Sequence, residues 1–129
     1  MAFTSSVAGE VLGVRFYKGT QDIGTHVGTL WGPDGRALST VTFANETASG
    51  WQFALFSSPI LISPTAQYVV SYTAPVGRYS VTTNDLRNAR TSGPLTTVPN
   101  GGRYNYSTGL PTLTSAHNYW VDVIFRPTP

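Results

Sequence analysis

The chain of 129 residues contains no cysteine. This absence excludes disulfide bonds, thiolate zinc sites, iron–sulfur clusters and thiol nucleophiles. Charged residues are scarce at 11% of the chain, against about 25% in an ordinary soluble domain. The net charge is only +2, and a single lysine stands beside seven scattered arginines. Because no basic stripe is present, no nucleic-acid partner is expected.

Long apolar runs are also missing. No stretch reaches the roughly eighteen apolar residues that a spanning helix needs, so no membrane span is predicted. Residues 1–9 lack the basic head and apolar run of a signal peptide. We therefore expect either that export uses a leader outside this sequence or that the domain was cut from a longer chain. The length itself predicts one domain over residues 1–129.

The sequence does contain a repeating period of two. Apolar residues alternate with others along 11–17, which predicts a strand with one buried face. Segments 27–31 and 37–43 flank a Gly-Pro-Asp-Gly turn and predict a hairpin. Further strands are predicted at 51–57, 60–62, 68–73, 78–82 and 119–125. Pro59 is expected to separate the first two of these.

The segment 83–118 differs in character because Gly-Pro, Pro-Asn-Gly-Gly and Gly-Leu-Pro breaks interrupt it. It predicts a long irregular segment with one short strand at 103–106, and loops of this length are usually functional or mobile. About eight to ten short strands between Gly/Pro turns are typical of a sandwich. The chain is therefore predicted to be all-β, an antiparallel two-sheet β-sandwich of the jelly-roll or immunoglobulin-like type.

Groups that could perform catalysis are few. His26 and His117 are the only histidines. Each is interpreted as a surface hydrogen-bonding residue, because a general base needs a positioned partner. No serine elbow, His-Glu-x-x-His pair or phosphate loop occurs. The chain is predicted not to be an enzyme, and a small hydrolase built around either histidine is the third hypothesis considered.

Metal ligands are equally limited, since the chain has only six acidic residues and none is marked as a neighbour of another. Asp22 and Asp34 are expected to cap backbone amides in their turns. Asp85 with Asn84 is a weak metal candidate, because calcium accepts one or two carboxylates together with loop carbonyls. No other cofactor is predicted.

The positive signal is aromatic, with three tryptophans and seven tyrosines. Sugar rings stack on flat aromatic faces while their hydroxyls need polar partners, and the loop around 103–106 offers both. The alternative for its tyrosines is packing of the loop onto the sheet, and Trp120 is expected to be either exposed or covered by that loop. The predicted ligand-binding residues are Arg103, Tyr104, Asn105, Tyr106, Tyr79 and Trp120.

The strand predicted at 51–57 is apolar on both sides. Trp51 is expected to pack at the edge of the core, and Phe53 and Leu55 share its face. Ala54 and Phe56 lie on the opposite face. A strand of this kind lies either at the centre of a sandwich or at a subunit contact.

Five runs, taken in order, resemble a single bacterial family. They are Gly-Val-Arg-Phe-Tyr-Lys-Gly at 13–19, Gly-Thr-His at 24–26 with Gly-Thr-Leu-Trp at 28–31, Ala-Ser-Gly-Trp-Gln at 48–52, Tyr-Val-Val-Ser-Tyr at 68–72 and Asn-Tyr-Trp-Val-Asp-Val at 118–123. The family is the domain of unknown function DUF4082, and the resemblance extends over about 11–125. It implies a β-sandwich module of a secreted, multi-domain bacterial protein, often beside glycan-active or immunoglobulin-like modules. It supplies no catalytic residues.

Two functions are therefore expected ahead of hydrolysis. The first is a non-catalytic accessory module that binds a glycan or cell-surface polysaccharide, or mediates adhesion, outside the cytoplasm. The second is a structural module that self-associates or packs against neighbouring domains. The family resemblance implies small polar residues at positions 53 and 55. This chain has the apolar Phe53 and Leu55 there instead, and this departure favours self-association.

Overall fold

The computed structural model describes residues 1–107 and 109–128. Across these residues the regular structure is entirely β, as predicted, and no helix has the length and apolarity needed to cross a membrane. The described strands are β1 (Ala2–Ser5), β2 (Gly9–Lys18), β3 (Val27–Trp31), β4 (Ala37–Thr42), β5 (Gly50–Ile62), β6 (Tyr68–Tyr72), β7 (Thr91–Ser92), β8 (Leu95–Thr97), β9 (Gly102–Tyr104), β10 (Leu113–Ser115) and β11 (Val121–Pro127).

The strands form two main antiparallel sheets and one small ribbon. The larger sheet has six strands in the order β4-β3-β6-β1-β8-β7, and the smaller has three in the order β11-β2-β5. β9 and β10 pair separately as a two-stranded ribbon. Apolar side chains from both main sheets share one core. The predicted two-sheet sandwich is confirmed.

The core follows from the alternation of side chains along each strand. In β2, Val14 and Phe16 are buried while Arg15 and Tyr17 face outward, as the sequence pattern predicts. The Phe16 ring stacks on Tyr72 with ring centroids 4.4 Å apart and meets Phe43 edge-on at 4.8 Å. Aromatic packing between the sheets therefore fixes how they face each other.

Strand β5 differs from the prediction in two ways. It runs unbroken through Pro59, so the expected break there is wrong. β5 is one of the two edge strands of the smaller sheet, and a proline at an edge need not interrupt the ladder. Because β5 lies at the edge of its sheet, the central placement considered for this strand is excluded. Phe53 and Leu55 point away from the core and are exposed.

Sequence patterns also miss pairings between distant segments. β1 is not predicted, yet it pairs with β6 on one side and with β8 on the other. The strand predicted at 78–82 is absent, and only an isolated bridge joins Thr82 to Asn118. The segment 83–118, predicted to be largely irregular with one short strand, carries the four short strands β7 to β10. These strands are two or three residues long; β7 pairs with β8 and β9 with β10, and only β8 also pairs with a distant strand, β1.

Candidate functional site

Three aromatic side chains lie together on the outer face of the smaller sheet. They are Tyr17 of β2, Trp51 of β5 and Trp120, which precedes β11, and we refer to them as the aromatic platform. The Trp51 ring centroid lies 5.6 Å from that of Tyr17 and 6.5 Å from that of Trp120, and both contacts are edge-on. The platform exists because strand order β11-β2-β5 places these outward positions side by side.

Trp120 is held in an unusual backbone conformation. Its φ of +56° lies in the left-handed region that residues other than glycine rarely adopt. The Trp120 amide donates to Asn118 Oδ1 at 2.7 Å, and its carbonyl accepts from the Tyr17 amide at 2.9 Å. The indole Nε1 donates to Thr82 Oγ1 at 2.9 Å. Strained residues fixed in this way tend to cluster at functional sites.

A cross-strand ion pair lies beside the platform. Arg15 Nη2 and Nε donate to Asp122 Oδ2 at 2.8 Å and 3.3 Å. The Arg15 guanidinium carbon lies 4.8 Å from the Trp51 ring centroid, which is within cation–π range. Both charged side chains remain partly exposed. The pair therefore adds hydrogen-bond donors and acceptors to an aromatic surface without adding net charge.

A cleft of about 740 Å³ opens next to the platform. This volume lies within the range of about 300–1,000 Å³ that is typical of small-molecule sites. Arg15, Trp51 and Trp120 line one part of it, together with residues of β11. The part formed by β7, β8 and adjoining residues contributes polar side chains, namely Arg90, Thr91, Ser92, Thr96 and Thr97. Aromatic and hydroxyl groups therefore share one concave surface.

The three predicted tyrosines, Tyr79, Tyr104 and Tyr106, form a second group with Tyr119, which is not among the predicted residues. We call these four residues the tyrosine cluster. Ring centroids are 5.9 Å apart for Tyr104 and Tyr106, 6.3 Å for Tyr104 and Tyr119, and 5.4 Å for Tyr79 and Tyr119. Tyr106 is 92% exposed. The structure therefore brings three of the six predicted residues together, while Trp120 belongs to the platform.

The two remaining predicted residues are engaged within their own loop. Arg103 Nη1 donates to the carbonyls of Asn100 and Gly102 at 2.9 Å and 3.0 Å. Asn105 Nδ2 donates to the Leu110 carbonyl at 3.1 Å, and its Oδ1 accepts from the Tyr106 amide at 2.8 Å. Partial burial lowers the pKa of Arg103 and raises the pKa of Tyr119. Arg103 and Asn105 therefore shape the loop that carries the tyrosines.

The weak calcium candidates do not form a suitable cation site. Asp85 Oδ1 accepts from Arg90 Nη1 at 2.6 Å, and Asp85 Oδ2 accepts from Asn118 Nδ2 at 2.9 Å. A calcium ion there would compete with a guanidinium for the Asp85 carboxylate. The neighbouring Asn84 has φ +58° and donates its amide to His117 Nδ1 at 3.1 Å. Asp85 thus has a structural role in the described part of the chain.

The prediction that His26 lies on the surface is wrong, because His26 is wholly buried. Its Nε2 lies 2.7 Å from Asp22 Oδ1 and its Nδ1 lies 2.8 Å from Glu46 Oε1. Lys18 Nζ lies 3.1 Å from the same Glu46 oxygen. We call these four residues the buried charge cluster. Burial opposes ionisation of Glu46, but hydrogen bonds from His26 and Lys18 outweigh it and lower the pKa of that carboxyl.

Asp22 likewise differs from its expected role of capping backbone amides. It is wholly buried with Oδ1 on His26, and within the described residues Oδ2 has no hydrogen-bond partner. Asp34 does serve its turn, since its Oδ1 accepts from the Arg36 amide at 3.1 Å. No local pattern identifies the buried cluster, because Glu46 lies 20 residues from His26 in the sequence.

Sequence reasoning also missed Tyr17, Arg15 and Asp122 as members of one surface. Alternation along β2 does place Arg15 and Tyr17 on its outward side, so a partial signal was present. Trp51, expected to pack at the core edge, lies on the same outer face instead. The missing information was the order of the strands, which no single strand encodes.

Fold and surface together define an all-β sandwich domain with an aromatic outer face and an adjacent cleft lined by both apolar and polar side chains. The chain belongs to the family described as domain of unknown function DUF4082, whose family model matches residues 1–121. The family resemblance noted from the sequence is thereby confirmed. No curated protein and no solved structure matches the chain.

Proposed function

We propose that the protein is a non-catalytic module that binds carbohydrate at the aromatic platform and the adjoining cleft. The observation that carries this proposal is the position of Trp51 and Trp120 in the lining of a cleft that also contains threonine, serine and arginine side chains among apolar ones. A sugar ring presents C–H groups that pack on aromatic rings, and its hydroxyls both donate and accept hydrogen bonds. Platform and cleft offer these two kinds of contact next to each other.

The histidines favour binding over hydrolysis. His26 is closed off from solvent and both its ring nitrogens contact carboxylate oxygens. His117 Nδ1 accepts a backbone hydrogen bond from Asn84. A general base must reach a proton on its substrate; neither ring nitrogen of His26 is free for this, and Nδ1 of His117 is already engaged. Position outside the cytoplasm is part of the proposal and rests on the family resemblance alone.

A glycan array followed by titration of the best hit tests the proposal. We expect Trp51→Ala and Trp120→Ala to weaken binding about tenfold or more, because stacking area is lost and tenfold corresponds to about 1.4 kcal/mol. Tyr106→Ala is the matched control, since it removes an exposed aromatic ring from the tyrosine cluster. Loss of binding in Tyr106→Ala alone would show that the glycan binds at the tyrosine cluster and not at the platform. An array without hits would contradict carbohydrate binding.

A second candidate function is self-association through β5. Phe53, Leu55 and Leu61 all lie on this edge strand and are 59%, 65% and 73% exposed. Neighbouring apolar side chains exposed to this degree often mark protein contacts. Such a contact would join two copies, or one copy and a neighbouring domain.

Light scattering separates this candidate from glycan binding. Leu55 does not line the cleft, so Leu55→Asp should dissociate an oligomer without affecting glycan affinity. Leu113→Asp provides the control, because Leu113 is an exposed leucine on β10. A wild-type protein that stays monomeric at high concentration would remove self-association from consideration.

A further inference from the structure

The buried charge cluster has a composition that neither glycan binding nor self-association explains. The Lys18 and Glu46 side chains are only 10% and 12% exposed. Lys18 Nζ lies 3.1 Å from Glu46 Oε1 and also donates to the Thr47 carbonyl at 3.1 Å. Lys18 is the only lysine of the chain. An amine is therefore held against a carboxyl group, and both side chains are mostly covered by the protein.

From this geometry we propose that Lys18 and Glu46 condense without any added catalyst into an intramolecular amide bond. Lys18 Nζ is the nucleophile and Glu46 Cδ is the electrophilic carbon. His26 Nδ1, 2.8 Å from Glu46 Oε1, is placed to donate a proton to the oxygen that departs. Asp22 Oδ1, 2.7 Å from His26 Nε2, orients the imidazole. The cluster therefore contains a nucleophile, a proton donor and a group that positions the donor.

The reaction balances without an oxidant, a reductant or a co-reactant. One proton passes from the Lys18 ammonium to the Glu46 carboxylate and gives a neutral amine and a carboxylic acid. The Nζ–Cδ bond then forms and a Cδ–O bond breaks. A second proton from Nζ, relayed through His26, accompanies the departing oxygen, which leaves as water. The products are one secondary amide and one water molecule.

The surroundings hold the reacting groups together and limit hydrolysis of the product. The His26 ring lies against Phe16 with ring centroids 4.8 Å apart and faces Tyr72 at 6.2 Å. Because hydrogen bonds from His26 and Lys18 lower the pKa of Glu46, the ion pair is the main protonation state, and the neutral amine and acid form only as a minor species, so the condensation should be slow. The low exposure of the Lys18 and Glu46 side chains limits the water that could hydrolyse the amide. The bond would tie the end of β2 to the loop before β5, so a chain without cysteine would gain a covalent crosslink.

Intact mass spectrometry of the purified full chain tests the proposal directly. We expect the wild-type mass to lie one water molecule below the mass calculated from the sequence. Trypsin should then yield residues 16–36 joined to residues 37–78, because the amide blocks cleavage after Lys18. Wild-type protein that keeps its full mass after days at neutral pH would overturn the proposal, and this result requires no variant to fold.

Two variants distinguish this amide from different reactions that also release water. Lys18→Arg keeps the positive charge but cannot form this amide, so it should show the full mass. A succinimide at Asp34-Gly35 also loses water, and persistence of the deficit in Lys18→Arg would identify that reaction and overturn the amide. Arg126→Lys places a lysine beside Glu10 in an exposed ion pair. Arg126→Lys should show no additional loss of water. Its new lysine lies close to a carboxyl group but is neither buried nor next to His26, and closeness alone does not suffice to form the amide.

Discussion

At the scale of single residues, Tyr72 combines a well-packed ring with an unsatisfied hydroxyl. Its ring stacks on Phe16, while the hydroxyl is buried and has no hydrogen-bond partner within the described residues. Burial, reinforced by the charge of Asp22, raises the pKa of Tyr72 above its ordinary value of 10.0. The hydroxyl therefore carries a desolvation cost that its ring does not.

Tyr72→Phe should consequently be neutral or stabilising by up to about 1 kcal/mol at neutral pH, because it removes an unpaired polar group and keeps the stacking. Unfolding in urea measures this. The wild type should also lose stability above about pH 10, where the unfolded chain ionises Tyr72 before the folded chain does, and the variant should lack that component. A clear destabilisation of Tyr72→Phe at neutral pH would mean that the hydroxyl does have a partner.

Replacing His26 should have the opposite effect. His26→Ala leaves the wholly buried Asp22 without its hydrogen-bond partner and should cost about 3–5 kcal/mol of unfolding free energy. His117→Ala is the control, because His117 is partly exposed and should stay within about 0.5 kcal/mol of wild type. Equal stability of the two variants in urea would show that the buried charge cluster does not support the fold.

At the scale of elements, β2 and β5 approach each other closely at Gly13. A Cβ at Gly13 would overlap the carbonyl oxygen of Ala54 and lie 2.8 Å from the Leu55 Cα. The pairing register of the two strands shifts between Val11 and Gly13. Glycine is therefore required here by the backbone of the neighbouring strand, which cannot move aside as a side chain would.

Gly13→Ala should lower the unfolding free energy by about 1–3 kcal/mol, the usual cost of forcing an extra carbon into a packed site. Gly109→Ala is the control for the substitution itself, since within the described residues a Cβ at Gly109 meets no atom within 4 Å apart from its chain neighbours. Unfolding of both variants in denaturant measures the two free energies of unfolding for comparison with the wild type. If both are as stable as the wild type, β2 and β5 do not approach as closely as described.

The elements also show what a sequence can and cannot predict. The hairpin of β3 and β4 follows from its Gly-Pro-Asp-Gly turn, and the faces of β2 follow from alternation over residues 14–17. Alternation fails at Val11 and Leu12, where the register shift buries Val11 fully and leaves Leu12 half-buried. Pro59 misleads, because its effect depends on whether β5 is an edge strand. The partners of His26 come from two separate loops, so only the folded chain brings them together. Turns and the alternation of side chains along a strand can thus be predicted from the sequence, whereas strand order and contacts between distant residues cannot.

At the scale of the whole molecule, the sandwich separates its groups by environment. The buried charge cluster lies inside, where packing holds it, while the aromatic platform and the tyrosine cluster lie outside. The platform depends on three strands and on the left-handed backbone of Trp120. A rigid β scaffold that presents aromatic rings beside a cleft with both apolar and polar side chains is suited to holding a ligand, and this is the central claim of the proposed function.

The three tryptophan indole N–H signals in an NMR titration with the best array glycan test that claim most directly. Trp51 and Trp120 belong to the platform, whereas Trp31 Nε1 donates to Ser71 Oγ at 2.9 Å and serves as the internal control. Binding at the platform predicts that the signals of Trp51 and Trp120 shift with added glycan while that of Trp31 stays in place. Saturation by the glycan with all three signals unmoved would contradict it.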